Sequence, residues 1–282
     1  SKSEVEVQDF IKSLNLELLV NNRKVLKGKE LDIYIPELKI AIEFNGLYWH
    51  SDLYKENNYH STKTQQCATE GIKLIHIFED EWLYKKDIVK SRLQNILGKT
   101  NDKIYARNTV VKEIDSKTAR LFLDQNHIQG FVGAKIYLGL FFKNELCSIM
   151  TFGNLRKNLG SKSIEGHYEL LRFCNKLNIT VVGGASKLFK HFLKNYNPTN
   201  VISYADRRWS SGELYYHLGF NHLYNSIPNY FYVSKNTRES RFKYRKDILV
   251  KEGFDSNKTE REIMAERGFS RIYDCGAMKF EY

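Results

Sequence analysis

In the stretch ELDIYIPELKIAIEFNGLYWH, residues 30–50, two carboxylates and an imidazole stand among apolar residues that recur with a strand's period of two. Asp32 precedes Glu43 by eleven residues with Pro36-Glu37 between them, so two antiparallel strands would bring both acids to one face. Neighbouring carboxylates repel and shift each other's pKa unless a cation reconciles them. Mg²⁺, or Mn²⁺ in its place, takes hard oxygen ligands, and Mg²⁺ in particular keeps several of its waters, which suits such a pair. His50 follows Tyr48-Trp49 at the end of the second strand, where an imidazole would act as general base or orient a water. A purely structural hairpin with solvent-facing acids and a turn histidine would carry the same residues.

The elements that must hold these groups are readable from spacing. SEVEVQDFIKSLNLEL carries apolar residues at helical intervals, with Ser3 as a cap. NRKVLKGK reads as a basic turn, and LDIYI with KIAIEF as a hairpin. A polar helical segment closes at Gly71, IKLIHIFEDEW is a buried strand entering a helix, and DIVKSRLQNIL is a helix closing at Gly98. The acidic run Glu79, Asp80, Glu81 reads as a solvated helix start. Together these make an α/β unit over residues 1–100, bounded by the polar connector GKTNDK. A second domain spans 104–282. It opens with a helix capped by Ser116, followed by a hairpin turning at Lys143-Asn144, the strand HYELLRFCN, a Gly-rich helix start at VVGGASKLFKHFL, the strand NVISYADRRW and a cationic tail.

Composition narrows the partners. Forty-four Lys and Arg against 33 Asp and Glu give a formal charge of +11 in 282 residues, which favours a polyanion, nucleic acid first. No apolar run of membrane-spanning length and no signal-peptide pattern is present, so a soluble, intracellular protein is expected. An opening Ser1 in place of Met is what a processed start, or one introduced for expression, would leave. The four cysteines are scattered without a CxxC pair, which argues for reduced, buried thiols rather than disulfides or a zinc knuckle.

LDIYIPELKIAIEFNGLYWHS followed by YHSTKTQQCATEGIKLIHIFEDEW resembles the core of the restriction-endonuclease-like, or PD-(D/E)XK, nucleases, and within them the very-short-patch-repair and phage-borne homing endonucleases. The resemblance implies that Asp32 and Glu43 hold a divalent metal together with Phe44, that the N-terminal helix acid Glu6 or Glu4 adds to the shell, and that His50 is the catalytic histidine. Asn45 stands where the pattern has lysine. An amide cannot supply that positive charge, and the substitutes are His50 itself or Lys63, which with His60 would reach back to the site. We assign His50 as base, Lys63 as the charge and Asn45 as an orienting group. The resemblance further implies a metal-dependent, sequence-specific cutter of double-stranded DNA, at work in the cytoplasm of an infected bacterial host. Cutting both strands from one active site would call for a homodimer or sequential nicks.

The pieces LGLFFKNELCSIMTFG, YELLRFCNKLNITVVGGASKLFKHFL and SYADRRWSSGELYYHLGF resemble, in their order, the GNAT acyltransferase fold. The resemblance implies an α+β domain whose Gly183, Gly184 and Ala185 would cradle a pyrophosphate at a helix N-terminus. Thr180 stands where the family's signature begins with Gln or Arg. Two uses of the domain follow: a scaffold reused to grip DNA, or an acyltransferase or nucleobase-modifying enzyme carrying a degenerate nuclease as a docking module. Arg207, Arg208, Trp209, Arg238, Arg241, Lys243, Arg245 and Lys246 interleave cations with aromatics and are the expected DNA contacts.

Overall fold

The computed structural model describes residues 1–155 and 164–282. The chain makes two compact units: Ser1–Tyr84, Asp206–Ser210 and Ser226–Ala277 form one, and Lys85–Ala205, Ser211–Asn225 and Met278–Tyr282 form the other. The mixed α/β class read from sequence is the class observed. No helix among the described residues is long and apolar enough to cross a membrane. The cysteines are all free.

The first unit begins with α1 (Lys2–Ser13), whose capping box is made by Ser1 and Glu4 rather than by Ser3, and which buries Val7 and Ile11. A four-stranded sheet follows in the order β1 (Leu19–Leu26), β2 (Lys29–Ile35), β3 (Ile40–Asn45), β4 (Lys73–Phe78). Neighbours are antiparallel except β3 with β4, which are parallel. The residues expected to form a basic turn are strand β1, turning into β2 at Lys27-Gly28, where both residues have positive φ. β1 is an exposed edge strand rich in Asn, Arg and Lys, and so shows no apolar alternation to betray it. β3 is central and buried along its whole length. α2 (Tyr59–Thr69) buries His60, Lys63 and Cys67, whose spacing of three and four puts them on one helix face. α3 (Glu79–Tyr84) follows β4 directly.

The second unit starts at α4 (Lys86–Ile96), a helix expected in the N-terminal domain. Its side chains show why the division falls after Tyr84 and not near residue 100: Ser91 Oγ accepts the Asn178 N–H at 2.8 Å, and Asn95 Nδ2 donates to Thr180 Oγ1 at 2.8 Å. The unit continues through β5 (Asp102–Tyr105), β6 (Val110–Glu113), α5 (Ser116–Asn126), β7 (Ile136–Phe142), β8 (Glu145–Asn154), β9 (His167–Asn175), β10 (Ile179–Val182), α6 (Gly184–Tyr196), β11 (Asn200–Asp206), α7 (Glu213–His217) and β12 (Asn221–Asn225). Its main sheet runs β12, the C-terminal strand Ala277–Glu281, β11, β9, β8, β7, β6, while β5 and β10 form a separate parallel pair. The β7–β8 hairpin turns at Lys143-Asn144 as expected, with φ of 49° and 66°. Asp115, not Ser116, caps α5, accepting the Thr118 N–H at 2.7 Å.

Residues 226–277, expected in the second domain, belong to the first unit. They form β13 (Tyr230–Ser234), β14 (Thr237–Ser240), α8 (Lys246–Lys251), α9 (Glu260–Glu266) and β15 (Ser270–Tyr273), with β13 central in an antiparallel sheet. Val233 and Ile272 bury against Leu47 and Phe78, and Tyr232, Leu249, Ile263 and Met264 form a small core of their own. A desolvated charge cluster completes the packing. Arg238 bonds Asp80 and Glu81, Arg208 bonds Glu81 and Asp206, every one of these pairs at 2.8–2.9 Å, and both guanidiniums stack on Phe78. Glu81 is thus no solvated helix start: burial would raise its pKa, but the two arginines hold it down at about 2.

Three of the expected DNA contacts lie inside the fold instead. Arg208 and Trp209 are 6% and 2% exposed, and the Arg238 side chain is 9% exposed. Arg208 and Arg238 are committed to internal carboxylates, and Trp209 is buried, so none of the three faces solvent where a phosphate or base would lie. Replacing one member of a buried ion cluster strands its partners' charge. Arg238→Met, which keeps the stem over Phe78 but removes the charge, is expected to cost about 3 kcal/mol or more in urea unfolding. A loss below about 1 kcal/mol would show the cluster to be dispensable.

Candidate active site

The ladder between β2 and β3 pairs Ile35 with Ile40, Tyr34 with Ala41 and Ile33 with Ile42, and ends there. The next pair in that register is Asp32 and Glu43, and from this point the side chains replace the ladder. Glu43 Oε1 accepts the Asp32 N–H at 3.3 Å, and Asp32 Oδ2 accepts the Phe44 N–H at 2.8 Å. Each carboxylate thus satisfies backbone that the splaying strands leave unpaired. The two acids share one face of the sheet, as the sequence spacing implied.

That face is covered by α2. Lys63 Nζ, with its side chain 8% exposed, lies 2.5 Å from Glu43 Oε2. Burial pushes Glu43 up to about 7, Asp32 adding to the shift and Lys63 opposing it; burial likewise pushes Asp32 up to about 6. Burial alone would lower Lys63, but the charge of Glu43 holds it above the ordinary lysine value. A cavity of about 600 Å³ opens on these groups, lined by Asp32, Glu43, His50, Lys63, Tyr59 and Lys55 among others. Burial, then Lys55 and Lys63, hold His50 down at about 4, so the imidazole is neutral at pH 7. Lys55 Nζ sits 4.5 Å from the centroid of the Tyr59 ring. At the rim Tyr48 meets Trp49 and Tyr54 edge-on and Trp49 packs at a tilt on Tyr54, with Tyr48 53% and Trp49 64% exposed.

Behind the wall stands a second layer. His50 Nδ1 is 3.1 Å from His60 Nε2, and His60 Nδ1 is 2.7 Å from the Tyr273 carbonyl oxygen on β15. Asn45 Nδ2 lies 3.2 Å from His76 Nδ1, and His76 Nε2 lies 2.9 Å from Thr64 Oγ1. Asn45 therefore points at the fully buried His76 and is absent from the cavity lining. Glu6 accepts the Trp82 indole N–H at 3.0 Å and is likewise absent from the lining. Glu4 is near enough for its charge to raise Asp32.

Sequence reasoning missed His76, Tyr59 and Tyr273. The first had a signal, since a parallel β3–β4 pair sets His76 opposite Glu43. Glu79 serves as a brace, accepting the Leu47 N–H at 3.0 Å where the strand turns into the histidine loop. Of the expected DNA contacts, Lys243, Arg245 and Lys246 are exposed, and Arg241 stacks on Tyr230 and Phe242. Arg207 donates to the Cys275 carbonyl at 2.9 Å.

The donor set fits a hard cation. Asp32 and Glu43 supply carboxylate oxygens on one face, but no group of three or more His, Cys, Asp or Glu among the described residues is arranged to hold a metal. An ion that keeps most of its shell as water suits such a pair.

No family model matches the chain, and no curated protein matches it. Among solved structures it is similar to the catalytic domain of the homing endonuclease I-Bth0305I, at 26% identity over 34% of this chain and 93% of that one, with a TM-score of 0.30. It is also similar to an IAA acetyltransferase from Bacillus cereus, at 12% identity over 61% of this chain and 97% of that one, TM-score 0.31. A histone acetyltransferase HPA2 and related acetyltransferase from Corynebacterium glutamicum matches at 12% identity over 70% and 91%, TM-score 0.28. Likenesses this loose carry no argument about activity.

Raised carboxylate pKa values make a stability prediction with a definite sign. Groups whose folded pKa lies above the unfolded value stabilise fully below the unfolded pKa, and that contribution is lost as pH rises through 6 to 7. A cation that accepts the ionised pair restores it. The rise in Tm produced by Ca²⁺ is expected to grow between pH 5 and pH 8 and to vanish in Asp32→Asn. A rise independent of pH, or intact in the variant, would place the cation elsewhere.

Proposed function

We propose that the first unit is a metal-dependent endonuclease that hydrolyses phosphodiester bonds in double-stranded DNA. The observation that carries the reading is the pair of half-buried Asp32 and buried Glu43, neutralised on one side by Lys63 and sharing a cavity with neutral His50. Mg²⁺, or Mn²⁺ in its place, held by Asp32 and Glu43 would supply Lewis-acid charge beside the phosphate. Lys63 contributes an ammonium where negative charge grows on the phosphoryl oxygens. His50 accepts the proton of the attacking water.

The substrate class is supported by charge and by aromatic exposure. The net charge of +11 favours a polyanion. Exposed Tyr48 and Trp49 beside the cavity offer faces on which bases stack. Among the described residues Lys243 and Arg245 pair with Glu239 and Asp247, partners weak enough to be exchanged for phosphates, and Lys246 and Arg241 add charge on the same segment. The second unit is read as a scaffold for target recognition. Acyl transfer loses support at α6, where Lys187 Nζ donates to the Ala106 and Thr109 carbonyls and Ala106 packs against Gly183, at the turn where a pyrophosphate would have to settle. A phage homing role, with a homodimer or sequential nicks making a double-strand break, is the biology this chemistry would serve.

Incubation with phage genomic DNA and Mg²⁺ tests the reading. Defined ends are expected, with Asp32→Asn and His50→Ala each lowering the cleavage rate by roughly 100-fold or more while DNA affinity at fixed salt is unchanged. Cleavage that survives both substitutions would remove the site.

A further inference from the structure

His60 is 2% exposed and its two ring nitrogens are both engaged, one by a group whose role is unambiguous. The Tyr273 carbonyl oxygen only accepts, so His60 Nδ1 carries a hydrogen. Burial, the neighbouring His50 and the cations Arg208 and Lys63 keep His60 uncharged, with a pKa near 3. A neutral imidazole has one N–H, which leaves His60 Nε2 as a bare acceptor. The bond between His60 Nε2 and His50 Nδ1 then has one direction: His50 Nδ1 donates. His50 is neutral as well, so its hydrogen sits on Nδ1 and its Nε2, with no protein partner among the described residues, is a lone pair.

We infer that the Tyr273 carbonyl and His60 are positioning groups that lock His50 into the Nδ1–H tautomer, and that His50 Nε2 is the atom that takes the proton. In the reaction proposed above, on which this use of the base rests, water oxygen bonds to phosphorus, its proton passes to His50 Nε2, and the P–O bond to the leaving alcohol breaks. The leaving oxygen is protonated from solvent, and the imidazolium later returns its proton to solvent.

Residues 226–277 are on this account part of the catalytic centre. The carbonyl they supply lies 213 residues from His60 along the chain and is pinned beside the histidine loop by a reciprocal pair of hydrogen bonds between Asp52 and Arg271. Asp52 N–H donates to the Arg271 carbonyl at 2.7 Å, and the Arg271 N–H donates to Asp52 Oδ1 at 2.9 Å. On the other side Ile272 buries with Leu47 and Phe78, and Phe78 meets the His60 ring edge-on at 5.4 Å. A hydrogen bond to the far nitrogen is the general means by which an imidazole's reactive nitrogen is selected.

Long-range ¹H–¹⁵N spectra of the full-length protein labelled with ¹⁵N-histidine, at pH 7.5 without DNA or metal, read the tautomers directly. Both His50 and His60 are expected to be Nδ1–H with unprotonated Nε2. His60→Gln, which keeps an acceptor, is expected to preserve the His50 pattern and most of kcat. His60→Phe, which keeps the ring volume and removes the acceptor, is expected to mix the His50 tautomers and lower kcat roughly tenfold or more with KM unchanged. A wild-type His50 protonated at Nε2, or a His60→Phe spectrum in which His50 is unaltered, overturns the inference. Absence of cleavage by a protein with the expected spectrum would instead strike the nuclease reading alone.

Discussion

Half-buried Asp32 and buried Glu43 meet at the point where two strands part, each taking the backbone N–H that the other's strand would otherwise leave bare. Like charges about 4 Å apart repel by roughly 4 kcal/mol at an effective dielectric of about 20, a large fraction of the roughly 5–15 kcal/mol by which a domain is stable. An ionised pair in that place needs positive charge beside it. Lys63 supplies it to Glu43 from the helix above, and a divalent ion would supply it to both. The rest of the unit frames the pair and the cavity that opens on it. β3 is buried throughout, α2 covers the acid face, and the C-terminal sheet closes over the turn that leads to His50.

The cationic segments divide into two kinds by burial. Arg208 and Arg238 both lie over Phe78 and satisfy three carboxylates, so their charge is spent inside the fold. Lys243, Arg245 and Lys246 remain on the surface, Lys243 and Arg245 in weak pairs with Glu239 and Asp247. A net charge of +11 is thus an imperfect guide to where a nucleic acid would lie.

What was legible in the sequence was local. An eleven-residue spacing sufficed to place Asp32 across from Glu43, because strand alternation and a tight connection leave little freedom of register. Lys143-Asn144 marked its hairpin for the same reason, both residues tolerating positive φ. What was illegible depends on partners far along the chain. Arg208 meets Glu81 across 127 residues and Arg238 meets it across 157, and no pattern within RRW or TRES distinguishes a buried arginine from a solvated one. The same holds for α4, whose amphipathic face does not say which unit it packs on, and for Tyr273, whose contribution is a main-chain oxygen and so independent of residue type. β1 escaped because an edge strand need not alternate.

The most direct test of the central claim is anomalous scattering from crystals of the wild-type protein grown with Mn²⁺ at pH 8. The account predicts an anomalous peak shared by the Asp32 and Glu43 carboxylates, with the Lys63 ammonium drawn off Glu43 Oε2. A peak at another site, or Lys63 still bonded to Glu43 with no ion beside the pair, would contradict it.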